Sequence, residues 1–207
     1  PYSDYYYWLD SPPNDWESAF CGSAYAYDDR RGQYYLHSYA VSQADLNWRN
    51  PAVLEEVKDI LRFWLDRGVM GFRCDVINVI YKNSLENGKP SPILTGMEHY
   101  LSTDGCHEIL RELRKVLDEY GAFTVGETVF VDTKKACDLC APERRELHTV
   151  FGFEHMECDQ KIVKWFKTWL DPHKLMKCLC KWQQGLNWNA IYFENHDQPR
   201  FISRFTD

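Results

Sequence analysis

Beyond residue 50 the apolar positions take up two alternating rhythms. Val53, Val57, Ile60, Leu61 and Trp64 recur at helical spacing, with charged residues between them. Asn50-Pro51 reads as an N-cap followed by proline in the first helical position, and Gly68 stops the helix. A short strand ending in a carboxylate comes next, Val69-Met70-Gly71-Phe72-Arg73-Cys74-Asp75. The alternation then repeats. A helix over 106–119 leads to the strand 122–127, which ends in Glu127, and a helix over 133–140 leads to the strand 148–151. A helix over 173–184 leads to Ala190-Ile191-Tyr192-Phe193-Glu194-Asn195, with His196 and Asp197 directly after.

Strands alternating with crossover helices make parallel βα units in one sheet, so the fold class is α/β. About four such units are predicted, half of a (β/α)8 TIM barrel, which needs eight strands and about 250 residues. The chain is therefore expected to hold part of a barrel. Residues 1–42 differ in texture: Tyr, Trp, Asp, Ser and Pro crowd together without helical periodicity. They predict a loop-rich inserted subdomain with one short strand at 33–37, leaving 43–207 as the partial barrel.

Composition narrows the chemistry. A net charge of -7 leaves no basic stripe, so nucleic acid is not expected as a partner. No apolar run approaches the roughly 20 residues of a membrane span. An aromatic content of 15% suits stacking on sugar rings as well as core packing. The eight cysteines lack disulfide spacing and no Asn-x-Ser/Thr acceptor occurs, which reads as reduced thiols in the cytoplasm. Cys137 and Cys140 have the spacing of half a zinc site, but Cys178 and Cys180 do not complete it, so neither metal nor cofactor is expected.

Asp75, Glu127 and Asp197 each stand at or just past the C-terminal end of a predicted strand, where barrel enzymes place their active sites. Strand-end acids also cap the helices that follow them. Two of them on adjacent strands would meet the need of a retaining glycosidase for carboxyl groups about 5–5.5 Å apart.

Four segments carry a more specific signal. Gly71-Phe72-Arg73-Cys74-Asp75-Val76-Ile77-Asn78, Phe123-Thr124-Val125-Gly126-Glu127 and Glu194-Asn195-His196-Asp197-Gln198-Pro199-Arg200 resemble the second, third and fourth signature regions of the α-amylase family. Gln43-Ala44-Asp45-Leu46-Asn47-Trp48 resembles the fifth, and all occur in the family's order. Within that family the chain is most similar to exo-acting α-glucosidases of the oligo-1,6-glucosidase type, and its first 42 residues resemble the domain inserted after the third barrel strand. The first signature region has no counterpart here.

The resemblance implies that Asp75 is the nucleophile, that Arg73 orients it and balances its charge, and that Glu127 is the acid and base. His196 and Asp197 would grip sugar hydroxyls and stabilise the transition state. Val76 would border the leaving sugar and favour α-1,6 linkages. The implied substrate is a short isomaltooligosaccharide cleaved from its non-reducing end. Two other readings stay open: a sucrose or trehalose isomerase using the same acids, and a non-catalytic transporter heavy subunit. A half-barrel in isolation is expected to be inactive and to self-associate through its open strand edges.

Overall fold

The computed structural model describes residues 2–91, 93–161 and 166–205. The chain divides into two compact units, one of residues 1–71 and 78–122, the other of 72–77 and 123–207.

In the first unit, β1 (Trp8–Leu9), β2 (Tyr25–Asp28) and β3 (Gln33–Leu36) form an antiparallel sheet in the order β1-β3-β2. Only β3 was expected from the sequence. The other two give no such signal: β1 has only two residues, both apolar, and β2 has no charged position before its last residue, Asp28, so neither shows the polar and apolar alternation that marks a strand. Asp28 builds the turn between β2 and β3: its Oδ1 accepts from the N–H groups of Arg30 and Arg31 at 2.9 and 3.0 Å. Gly32, with φ of 70°, closes it.

Helix α1 (Pro51–Leu65) starts as its sequence predicts, with Asn50 Oδ1 accepting from Ala52 N at 3.0 Å. It packs on α2 (Asp104–Glu119), which is capped by Thr103 and buries Cys106, Ile109, Leu110, Leu113, Val116 and Leu117 along one face. The expected boundary between residues 42 and 43 falls inside this unit. There Asp45 ties the two sides together: its Oδ2 accepts from Ser38 N at 2.6 Å and its Oδ1 from the fully buried Lys82 Nζ at 2.9 Å.

The second unit is built on β4 (Gly71–Cys74, entering the unit at Phe72), β5 (Phe123–Glu127) and β6 (Thr149–Phe151), in the order β4-β5-β6. Strands β5 and β6 are parallel, with Val125 opposite Thr149 and Glu127 opposite Phe151. The unit also contains α3 (Thr133–Cys140), α4 (Pro172–Gly185) and α5 (Phe201–Phe205). Aspartates cap α3 and α4: Asp132 accepts from Lys135 N at 2.8 Å and Asp171 from His173 N at 2.9 Å. The sulfurs of Cys137 and Cys140 are committed to backbone carbonyls, those of Gly185 and Ala136.

The strand expected over 190–195 does not form. Side chains of the preceding elements take carbonyls just before it and within it, Thr149 Oγ1 donating to Trp188 O at 2.8 Å and His155 Nε2 bonding Tyr192 O at 2.5 Å. The segment lies against the unit through such contacts and not through a ladder, so the described sheet has three of the four expected strands. Among the described residues no helix is long and apolar enough to cross a membrane.

Candidate active site

Cys74 is the last residue of β4, and Asp75 follows it; Glu127 is the last residue of the neighbouring β5. Adjacent strands thus deliver two carboxyl groups to one place. The residue before Glu127 has to be small: a Cβ on Gly126 would come within 2.5 Å of Leu147 Cδ1 and 3.1 Å of Ile77 Cγ2. That glycine lets the end of β5 pack closely enough to bring Glu127 in.

Arg73 joins the two acids. Residues 73 and 75 point to the same side of an extended chain, and Arg73 Nη1 bonds Asp75 Oδ1 while Nη2 bonds Glu127 Oε2. The guanidinium also lies over the Phe151 ring, 5.9 Å from its centroid. One planar cation thus holds the Asp75 and Glu127 carboxyls as neighbours. Acids held on one guanidinium suit the short separation, about 5–5.5 Å, that a retaining glycosidase needs.

The two acids have different surroundings. The Glu127 side chain is 5% exposed, whereas that of Asp75 is 69% exposed. Burial first, and then the Asp75 carboxyl beside it, push Glu127 above the ordinary carboxylate range; Arg73 and the N–H of Val76 pull the other way. Val76 holds that N–H in place with a φ of 38°, a left-handed conformation that a β-branched residue rarely adopts.

Asp197 and His196 sit in an exposed turn closed by a bridge between Asn195 and Gln198. His196 Nε2 lies 3.0 Å from Asp197 Oδ2, and Asn195 Oδ1 accepts from Asp197 N at 2.9 Å. Asp75, Glu127 and Asp197 all act electrostatically on Arg73, so the third acid shares the field of the first two. The structure thus joins Arg73 to Asp75 and Glu127 by hydrogen bonds, with Val76 next along the chain from Asp75, while Asp197 acts on Arg73 through its charge alone.

Other polar residues near these segments have structural duties. Arg200 Nη1 bonds Glu194 Oε1 at 2.8 Å. Glu154 and His155, adjacent in sequence and suggestive of an acid/base pair, are both engaged: Glu154 accepts from Lys181 at 2.8 Å and from Trp182 Nε1 at 2.7 Å, while His155 holds Tyr192 O. Tyr192 itself escaped the sequence reading. Its hydroxyl is buried without a hydrogen-bond partner and feels the charges of Glu127 and Asp197. Its place in a segment that reads as a strand gave no sign of this.

Compared with known families, residues 1–207 match the alpha amylase catalytic domain from end to end. The chain belongs to the α-amylase catalytic-domain family. Among curated relatives, the oligo-1,6-glucosidase of Parageobacillus thermoglucosidasius is 46% identical over 221 residues, covering 100% of this chain and 39% of the relative. Among solved structures, Bacillus licheniformis trehalose-6-phosphate hydrolase superposes with a TM-score of 0.92 at 40% identity, over 100% of this chain and 39% of that one. Isomaltulose synthase from Klebsiella sp. LX3 gives 0.88 at 33% identity, over 98% and 38%. This α-amylase-family chain therefore spans about two fifths of the length of the relatives it matches.

Proposed function

We propose that the full-length protein is a retaining α-glucosidase that releases glucose from the non-reducing end of short α-1,6-linked glucans. The observation that carries this reading is the bridge from Arg73 to both Asp75 and Glu127. Asp75, exposed and paired with a guanidinium, suits attack on the anomeric carbon to give a glucosyl ester with inverted configuration. Glu127, buried and with its proton affinity raised, suits donation of a proton to the departing glycosidic oxygen. Once the leaving sugar has gone, the Glu127 carboxylate takes a proton from water as that water attacks the ester. The second inversion restores the original configuration. His196 and Asp197 would bind ring hydroxyls and stabilise the charge that builds on the sugar.

The relatives' lengths support assigning the activity to a longer polypeptide, with these 207 residues alone inactive. Exposed apolar side chains support self-association of the isolated segment, among them Ile60, Phe63 and Trp64 of the first unit and Trp169 and Trp188 of the second. The substrate is a small neutral oligosaccharide and the location cytoplasmic.

A second reading, a sugar isomerase with the same acids, is favoured by the likeness to isomaltulose synthase. Assaying the full-length protein with isomaltose, sucrose and trehalose 6-phosphate separates the readings. Free glucose from isomaltose supports the proposal, whereas an isomer of sucrose as the main product favours the second. Asp75→Ala and Glu127→Gln should each abolish turnover of isomaltose while the fold persists, and full activity in either would contradict these roles.

A further inference from the structure

The turn carrying His196 and Asp197 is exposed, and the hydrogen bonds within it reach no more than three residues along the chain. A side chain placed to stabilise a developing charge needs firmer anchoring, because preorganised geometry is what makes such a group effective. Two side chains outside the turn supply anchors. On the near side, Glu194 accepts from Arg200 Nη1 and from Phe201 N, each at 2.8 Å, which fastens the turn to the start of α5. On the far side, Arg204 of α5 donates from Nη1 to Gln198 Oε1 at 2.6 Å, and Gln198 is the residue next to Asp197.

The rest of the Arg204 guanidinium faces the body of the second unit. Nε and Nη2 fork onto Asp159 at 2.8 and 2.7 Å, and Nη2 also bonds Met156 O at 2.6 Å. Asp159 is fixed in turn, by Lys167 Nζ at 3.2 Å and through its carbonyl by Thr168 N at 2.7 Å. The side chains of Arg204 and Asp159 are 4% and 5% exposed. A buried ion pair is a weak source of net stability, since removing both charges from water offsets most of their attraction. Its value lies in direction. A guanidinium offers a planar set of donors that a lysine cannot reproduce, and here it links three sites at once.

We propose that Arg204 is a positioning residue, which acts through Gln198 to hold the Asp197 turn in register with Arg73, Asp75 and Glu127. This inference rests on the role given to Asp197 above. It assigns no contact with substrate to Arg204 or Gln198.

The test cuts the link where stability is least involved. In the full-length protein, Gln198→Leu removes the acceptor and leaves the Arg204–Asp159 fork in place, whereas Gln198→Glu keeps an acceptor at the same reach. Steady-state kinetics with an aryl α-glucoside and melting curves are measured for both variants and for Asp197→Asn. The expected result is a 10- to 100-fold fall in kcat for Gln198→Leu, the range set by small misplacements of catalytic groups, with KM and melting temperature little changed and with kcat largely retained in Gln198→Glu. Unchanged kcat in Gln198→Leu, where Asp197→Asn is severely impaired, would overturn the positioning role alone. Full activity in Asp197→Asn would overturn the underlying reading of Asp197 and this inference with it.

Discussion

Arg73 reaches Glu127 with one arm of its guanidinium and Asp75 with the other, yet the buried Glu127 carboxyl still holds its proton above the usual carboxylate range. Burial and the neighbouring Asp75 outweigh the attraction of Arg73. The sign of the pH effect follows. A carboxyl whose proton affinity is higher folded than unfolded contributes stability that is fully present below its unfolded pKa and is lost as pH rises through its folded pKa. Glu127→Gln replaces that carboxyl with a neutral mimic of its protonated form. The melting temperature of Glu127→Gln relative to the parent should therefore rise from pH 4 to pH 7. A difference that is flat or falls across this window would show that Glu127 is not shifted upward.

The proposed choice of linkage turns on Val76. Its N–H works to lower the proton affinity of Glu127, and it stands directly after Asp75 on a backbone with φ of 38°. On the proposed α-1,6 reading, a branched apolar group here would fill space that an α-1,4-linked leaving sugar needs. Discrimination by a methyl or two is worth about 1–3 kcal/mol, so kcat/KM for isomaltose should exceed that for maltose by roughly 10- to 200-fold. Val76→Thr keeps the β-branch and its backbone strain, and should narrow the ratio with little change in melting temperature. Equal values for the two sugars in the parent, or an unmoved ratio in the variant, would contradict this.

In the first unit the contact with most at stake is between Lys82 and Asp45. Lys82 is fully buried, its ammonium satisfied by Asp45 Oδ1 at 2.9 Å and by Val79 O at 3.1 Å. Removing one partner of a buried pair leaves a charge uncompensated, at a cost of about 3–5 kcal/mol. Asp45→Asn should lower unfolding stability by that order in urea titrations. A loss below about 1 kcal/mol would show that water or another group compensates Lys82.

Helices α1 to α4 were legible because their signals are local, whereas the five-residue α5 is too short to show a period. Asn50-Pro51 begins α1 where a cap and a first-turn proline should, and Cys106, Ile109, Leu113 and Val116 mark the buried face of α2 at helical spacing. The strand-end acids Asp75 and Glu127 were legible for a similar reason, since each closes a short apolar run. Residues 190–195 show the same kind of run but form no strand, because pairing is a tertiary property that a run of residues does not carry. The Arg204 fork onto Asp159 joins residues 45 apart in sequence, and the bridge from Arg73 to Glu127 joins residues 54 apart. Neither distance can be read from composition or period.

The central claim is that Asp75 and Glu127, bridged by Arg73, act together in a double displacement, and the anomer first released tests it most directly. Proton NMR can follow the hydrolysis of isomaltose by the full-length protein at times short compared with mutarotation. The account predicts that α-glucose appears first and the β-anomer grows in only as mutarotation proceeds. β-Glucose as the initial product would mean a single displacement by water, and would contradict the roles assigned to both acids.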